Sequence, residues 1–436
     1  MAVERAAGTA EFGKLTLDFA PAPKEERMKP GSWGSIWLVY IYSILCAASI
    51  SKLVPIEGEI ERAFHTTPAG VGVAISIIAV SSIFAATVGG GIIDRIGARR
   101  SIVATSIFLA LCNVLCFFST SMEMFDFARL LEGIEFIGII VAAPALIMAT
   151  TSGRRQVQAM TLWSTYTPAG VGIGLLLAVP FAGTSAWRWT FIVHGALFAI
   201  AASFGWLLPE SPREATERAA QPRRASWTDF LEIYRQWRPW KLSFSNALLV
   251  SIGLGTSTVI PRYFARVHHV SVATTSSILA AGYVPMIFAG IGAGYLLTRG
   301  VRPIAVYIGI TVAGILSGLL LYAPWTSFSL AMAATFVWLP CTGAAVAVLM
   351  ALLPTVVRDP ARGGAAMGLV GQVMAVGNFF TPPLYLALIP KGNWLAFFAL
   401  ILAGWILSLA FIPAWRMRTA AASVAVAGDA GVAVSR

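Results

Sequence analysis

The sequence contains little charge. Asp, Glu, Lys and Arg make up 12% of its 436 residues, whereas about a quarter is usual in soluble proteins. Apolar residues reach 57%, and the mean hydropathy is +0.77. A chain so poor in charge cannot cover a surface that faces water. This composition excludes most soluble enzymes and nucleic-acid-binding proteins, despite a net charge of +11, and it predicts an integral membrane protein.

Cysteine is also scarce, and catalytic motifs are missing. The four cysteines lie in apolar runs without metal-ligand or disulfide spacing, so we expect buried apolar side chains: Cys46, Cys112, Cys116 and Cys341. The sequence has no phosphate-binding Gly-x-x-x-x-Gly-Lys-Ser/Thr motif. It also shows no constellation of a nucleophile with a base, nor one of metal ligands. We therefore expect no enzymatic activity and no cofactor.

Apolar runs of about 20 residues, the length that crosses a bilayer, predict twelve transmembrane helices in two sets of six. The first set is predicted near residues 35–55, 68–92, 100–120, 124–149, 158–182 and 189–209. The second set is predicted near residues 242–264, 272–297, 302–323, 327–353, 364–388 and 393–415. These runs are too long for the strands of a transmembrane barrel. The predicted fold is an all-α membrane protein of two six-helix bundles.

The polar segments divide the chain into five parts. We predict a tail at 1–32, a first bundle at 33–209, a central loop at 210–241, a second bundle at 242–418 and a tail at 419–436. The first tail lacks the layout of a cleaved signal peptide. In this arrangement 24 of the 31 lysine and arginine residues lie on the face of the amino terminus. The positive-inside rule then predicts that both termini are cytoplasmic, in the inner (plasma) membrane.

Two turns repeat between the halves. The turn after the second span reads Gly90-x-x-x-Asp94-Arg95-x-Gly97-x-Arg99-Arg100, and a degenerate copy follows the eighth span, around Arg299. Parallel halves of this kind are typical of transporters with a substrate site between them. The first turn resembles the signature loop of the major facilitator superfamily. Arg129 followed by Gly133 resembles its fourth-span motif, with Glu135 where a second glycine is usual. The resemblance implies alternating access by two rocking bundles.

The charges of the signature loop are typical of a latch between the halves. Glycine permits close helix approach and positive backbone angles. Asp94 can cap a neighbouring helix or pair with a nearby arginine. The alternative is a plain positive anchor at the membrane surface. The predicted gating residues are Gly90, Asp94, Arg95, Gly97, Arg99 and Arg100.

Charged residues inside spans are expensive and are candidates for function. On the fourth predicted span, Arg129, Glu132 and Glu135 share an arc of about 120° at 100° per residue. Glu135 is expected near the membrane midplane, where a carboxyl can load and unload a proton. We therefore predict Glu135 and Glu132 as proton-coupling residues. The alternative is a permanent Arg129–Glu132 ion pair with a structural Glu135.

Substrate binding is predicted in both halves. Lys52 and Arg129 are expected at similar depth, where they would form a cationic vestibule for an anion; alternatively, Lys52 extends to the membrane interface. His194 is expected to form structural hydrogen bonds rather than to relay protons. The predicted neutral contacts in the second half are Asn246, Gln372 and Asn378, although each could instead bind a neighbouring helix.

These features predict a secondary active transporter for proton-coupled uptake of a small organic anion. The Arg-plus-Glu pattern of span four is loosely similar to that of organic-anion symporters of this superfamily. The alternative is a proton-coupled efflux antiporter, but the Gly-Pro-x-x-Gly-Gly signature of drug antiporters is not found in span five. A non-transporting sensor is the weakest alternative. The expected partners are a small molecule and the lipid bilayer, with no nucleic acid, and the expected state is a monomer.

Overall fold

The computed structural model describes residues 27–83, 96–134, 136–209, 227–356 and 363–413. All regular elements in these ranges are helices. The first half contains α1 to α9: Trp33–Ser51, Glu57–Ala63, Pro68–Ser76, Ala98–Phe118, Met122–Glu132, Ala142–Thr150, Gly153–Trp163, Tyr166–Ala178 and Trp189–Ser203. The second half contains α10 to α16: Trp227–Tyr234, Trp237–Val267, Val272–Thr298, Pro303–Tyr322, Phe328–Val356, Gly363–Leu388 and Trp394–Phe411.

The helices match the predicted membrane fold. Among the described residues, ten helical segments are long and apolar enough to cross a membrane. Two shorter apolar helices, Pro68–Ile83 and Gly138–Thr150, occupy the positions of the second and fourth predicted spans. The all-α prediction is thus confirmed. In the second half, α11 begins five residues earlier than predicted, and α10 forms a helix within the predicted central loop.

The fourth span is not the single regular helix that the sequence predicted. It consists of α5, a π-helical turn at Phe136–Ile140, and α6. The break follows Gly133, where a Cβ atom would lie 2.4 Å from the carbonyl oxygen of Ile78. Glycine is required there because the neighbouring backbone occupies the space of a side chain. Short π-helical turns are often found at functional sites.

Successive spans run in opposite directions, which gives the molecule two end faces. We call the end at which α1 begins the amino-terminal face and the other end the distal face. Arg155 donates to the Gly31 carbonyl at the amino-terminal face. Arg188 donates to the carbonyls of Phe117 and Ser119 at the distal face.

The two halves contact each other most clearly at the distal face. Arg262, on α11, lies with its Nε 2.8 Å from Glu57 Oε2 and its Nη1 2.9 Å from Glu61 Oε2. Both carboxylates belong to α2 in the first half, and Glu57 is buried. A cavity of about 400 Å³ separates α7 from α12 in the part of the molecule nearer the amino-terminal face. The halves are joined by ion pairs at the distal face; on the opposite side this cavity lies between α7 and α12, while Gln372 on α15 donates to the Ile83 carbonyl of the first half.

Candidate functional site

A cluster of fully buried polar side chains lies inside the first half, centred on Glu132 at the end of α5. Glu132 Oε1 accepts hydrogen bonds from Lys52 Nζ, from Ser49 Oγ at 3.2 Å and from Asn113 Nδ2 at 3.1 Å. Glu132 Oε2 accepts one from Arg129 Nη1. One carboxylate thus binds two cations and two neutral donors away from water.

The Lys52 ammonium is saturated by three acceptors. It donates to Asn113 Oδ1 at 2.6 Å and to Glu132 Oε1, and it lies 3.0 Å from His194 Nδ1. An ammonium only donates, so Nδ1 must be the acceptor. Nε2 then carries the hydrogen and donates to the Leu45 carbonyl at 3.0 Å. We therefore infer a neutral His194 of defined tautomer in this arrangement.

Arg129 joins three helices. Its Nε donates to the Ala74 carbonyl at 3.1 Å, and its Nη2 donates to the Ser49 carbonyl at 2.9 Å. These carbonyls lie in the last turns of α3 and α1, where helix carbonyls need partners from outside the helix. A cation there is also favoured by the carbonyl dipoles. Arg129 therefore fixes α1, α3 and α5 around Glu132.

The local sequence explains how these side chains meet. Lys52 is the C-cap of α1, and Pro55 has no N–H to donate to the Ser51 carbonyl, which ends the regular helix. On α9, Gly195 allows close approach to α4, since a Cβ there would lie 3.1 Å from the Asn113 Cβ. Helix ends and a glycine contact thus bring α1, α4, α5 and α9 together.

The cluster has an excess of positive charge. Among the described residues, Lys52 and Arg129 form ion pairs with one carboxylate, Glu132, and all three are 0% exposed. Asp126, nearer the distal face on α5, is only partly buried, and the structure shows no ion pair between it and Arg129 among the described residues. Buried charges are costly unless they are paired and hydrogen-bonded. An unequal set of this kind is therefore a strong candidate for function.

Three of the predicted site residues meet in this cluster: Lys52, Arg129 and Glu132. Neither cation lines an open vestibule, because both side chains are enclosed. Lys52 does not extend to the membrane interface. His194 forms the hydrogen bonds expected of it, although its partner is a charged group. Glu135 lies outside the described residues.

The predicted residues of the second half lie apart from the cluster. Gln372 donates to the Ile83 carbonyl at 2.9 Å and accepts from the Tyr234 hydroxyl. Asn378 Oδ1 accepts from Ser251 Oγ at 3.3 Å. Asn246 is buried, and its Oδ1 has no hydrogen-bond partner among the described residues.

Half of the predicted gating residues can be placed. Gly97 precedes α4 with φ of 93°, the positive angle expected of this turn. Arg99 donates to the carbonyls of Gly205 at 3.2 Å and Trp206 at 3.3 Å, which ties α4 to the end of α9. Arg100 is exposed. The others, Gly90, Asp94 and Arg95, lie outside the described residues.

Sequence reasoning missed two members of the cluster, Ser49 and Asn113. Asn113 donates to the Leu109 carbonyl at 2.8 Å as well as to Glu132. An asparagine inside an apolar span was the available signal, because an unpaired amide in hydrocarbon is costly. Ser49 offered no such signal, since serine packs readily between membrane helices.

Comparisons with known proteins agree with this fold. A sequence profile described as Major Facilitator Superfamily matches residues 36–363. The quinolone resistance protein NorB of Staphylococcus aureus is 27% identical over 157 residues, which are 36% of this chain and 33% of NorB. The matched part is thus about a third of the length of the curated relatives.

Solved structures are similar over nearly the whole chain. One is a bacterial homologue of the human lysosomal transporter Spinster, in an inward-facing and occupied conformation. It has a TM-score of 0.67 and 17% identity, over 92% of this chain and 97% of that one. The nucleoside transporter NupG has a TM-score of 0.70 and 15% identity, over 88% and 100%. These identities show the fold alone. With the profile match, they establish that this chain, a multi-pass membrane protein and not an enzyme, belongs to the Major Facilitator Superfamily of transporters.

Proposed function

We propose that this transporter takes up a small organic anion together with protons, by alternating access. The observation that carries the proposal is the enclosed set of Lys52 and Arg129 around the single carboxylate of Glu132. A substrate carboxylate has the same charge and shape as the Glu132 side chain. When the halves part, it can take the place of Glu132 on one of the two cations.

Burial makes this exchange selective. In a site that excludes water, a carboxylate binds far more strongly to a fixed cation than it does in solution. A neutral analogue would not replace Glu132 on either cation, so it would bind only weakly. We further propose that neutral parts of the substrate contact Asn246, Gln372 and Asn378 in the second half, since Asn246 retains an unused buried acceptor.

Protons are the proposed coupling ion, and the sequence predicted Glu132 and Glu135 as candidates for their carrier. Uptake of an anion against the usual membrane potential requires a cation to accompany it, and ionisable groups inside spans commonly form proton pathways. A carboxyl and a substrate anion that compete for the same cations make proton binding and substrate binding interdependent. Such interdependence is what coupled transport needs.

The contacts between the halves support one direction of access. We propose that the amino-terminal face is cytoplasmic, as the distribution of lysine and arginine predicts, with the protein a monomer in the inner (plasma) membrane. The ion pairs of Arg262 then close the outer side, and the cavity between α7 and α12 lies on the cytoplasmic side. The signature loop from Gly90 to Arg100 is the proposed cytoplasmic latch.

Efflux is the second candidate, and one observation favours it. NorB, the partial relative described above, is named for quinolone resistance. A proton-coupled antiporter would use the same buried charges but would move substrate and proton in opposite directions. The cationic excess of the cluster would then select anionic or zwitterionic drugs.

Transport in proteoliposomes tests the proposal and separates these candidates. The purified protein is tested with radiolabelled lactate, succinate and gluconate, with glucose as a neutral control and protein-free liposomes as blanks. We expect at least one carboxylate to accumulate in liposomes with an alkaline interior, and glucose to remain at the blank level. Export of a carboxylate in exchange for protons, which move in the opposite direction, would support efflux instead. Transport of glucose without any carboxylate would contradict an anion site.

A further inference from the structure

We infer that Lys52, rather than a carboxylate, carries the coupling proton. Its ammonium releases a proton to water when the substrate anion leaves, and it is protonated again before the next anion binds. This inference rests on the proposed uptake of an anion and replaces Glu132 and Glu135 as the carriers. It assigns a chemical function to the excess cation of the cluster.

The inference starts from the charges that are in contact. Arg129, Lys52 and Glu132 together bear one positive charge more than they can neutralise, and none of them reaches solvent. An arginine does not lose its proton in a protein. Glu132 is already the anion that both cations share. Lys52 is therefore the member of this contact set that can remove the excess by releasing a proton.

The two cations are held differently, which identifies Lys52 as the exchangeable one. Arg129 has Glu132 Oε2 as a partner and also two backbone carbonyls, whose dipoles point at the guanidinium. Lys52 shares Glu132 Oε1 with Ser49 and Asn113, and its other two acceptors are neutral groups. Arg129 and Glu132 thus form a balanced pair without Lys52, whereas Lys52 is balanced only in part.

Neighbouring side chains allow both protonation states of Lys52. From α4, Asn113 and Cys116 face the amine; from α5, Glu132 and Arg129 do. From α9, His194 faces it through Nδ1, and the Phe191 ring centroid lies 5.0 Å from Nζ. The amide and the imidazole carry no charge, although both accept hydrogen bonds from the ammonium, and the Phe191 ring favours the cation. Glu132 favours the ammonium, and Arg129 opposes it through like-charge repulsion.

Transport then proceeds with a balanced cluster in both directions. With substrate bound, the two cations face two carboxylates, Glu132 and that of the substrate. After release of the substrate, Lys52 loses one proton to water in the open cavity, and Arg129 faces Glu132 alone. Neither form moves a net charge through the membrane interior, where it would be costly. One proton accompanies each monovalent anion, and it binds and leaves at Lys52 Nζ.

A direct test is nitrogen NMR of the lysine side chains. The sequence contains six lysines, so replacement of the other five by arginine leaves Lys52 as the only labelled amine. The protein is labelled with ¹⁵Nζ-lysine, reconstituted in nanodiscs and titrated. We expect the Lys52 signal to change from ammonium to amine during the titration. A second sample that retains only the exposed Lys391 identifies the signal of a lysine at the protein surface.

Transport of Lys52→Arg complements the titration, because arginine keeps the charge but cannot release the proton. Whatever its rate of carboxylate exchange, the variant should show a lower ratio of pH-driven accumulation to exchange than the wild type. Lys52→Met is the matched variant that is neutral and cannot take up a proton.

The outcomes separate this inference from the proposed function. An unchanged Lys52 ammonium throughout the titration would overturn the inference, even if the wild type accumulated carboxylate. Accumulation by Lys52→Arg at the rate of the wild type would also overturn it. A wild type that transports no carboxylate at any pH would contradict the proposed function itself, whether or not Lys52 titrates.

Discussion

Replacement of Arg129 by lysine separates the geometry of this residue from its charge. The guanidinium binds Glu132 and two backbone carbonyls in the last turns of α1 and α3. A lysine ammonium is a compact group and cannot span these acceptors, although it preserves the positive charge. The variant therefore keeps the charges of the cluster and weakens the connection between three helices.

The cost can be worked out from the hydrogen bonds that are lost. A hydrogen bond from a charged donor contributes about 1.5–3 kcal/mol, and a buried acceptor left without a partner costs about 1–3 kcal/mol. Lysine can keep the contact with Glu132 or reach one carbonyl, so two of the three buried hydrogen bonds are lost. We expect Arg129→Lys to destabilise the protein by about 2–4 kcal/mol.

Arg188→Lys is the matched control. Arg188 also donates to two carbonyls, those of Phe117 and Ser119, but it is only partly buried at the distal face. A lysine at this position can remain in contact with water, so the expected cost is smaller than that of Arg129→Lys, although the Ser119 residue is buried.

Thermal unfolding in detergent and transport in proteoliposomes measure the two effects of Arg129→Lys. We expect a clearly lower Tm than that of Arg188→Lys and a raised half-saturation concentration for carboxylate. Equal Tm values for the two variants would refute the view that Arg129 ties the helices together. An unchanged half-saturation concentration in Arg129→Lys would refute its role in binding the anion.

Three further predictions concern other parts of the molecule. Gly133→Ala places a methyl group 2.4 Å from a backbone oxygen and should destabilise the protein by about 1–3 kcal/mol. Gly253→Ala, whose Cβ meets nothing within 4 Å, should not lower the Tm. Arg262→Gln removes the ion pairs between the halves at a cost of about 2–5 kcal/mol and should speed amide hydrogen exchange in α2. Arg62→Gln removes the exposed ion pair within α2 and should not speed amide hydrogen exchange in this helix. Equal exchange in the Arg262→Gln and Arg62→Gln variants would contradict a closing role for Arg262. Asp94→Asn should slow transport about tenfold at normal affinity if the carboxylate is part of a latch; normal turnover would leave only a surface anchor.

The sequence was sufficient for the fold class because composition constrains it strongly. Runs of apolar residues long enough for a bilayer can only be helices or closed barrels, and their length favours helices. The boundaries were less predictable. The many charges of the central segment concealed the short helix Trp227–Tyr234, and no local signal marked the early start of α11.

Individual site residues were predictable, whereas their arrangement was not. Lys52, Arg129 and Glu132 stand out because charge inside a span is expensive. Their contact with one another depends on the rotation of four helices and on the end of α5 at Glu132. Gln372 was predictable as a polar residue but not as a contact to the Ile83 carbonyl.

The central claim, proton-coupled uptake of an anion at the buried cluster, is tested most directly by paired flux measurements. Proteoliposomes with wild type or Arg129→Gln are assayed for carboxylate counterflow without a gradient and for net uptake with an alkaline interior. The account predicts counterflow and gradient-driven accumulation in the wild type, and a greatly raised half-saturation concentration in the variant. Equal carboxylate accumulation by the wild type and Arg129→Gln would contradict it. Wild-type uptake that does not depend on the pH gradient would also contradict it.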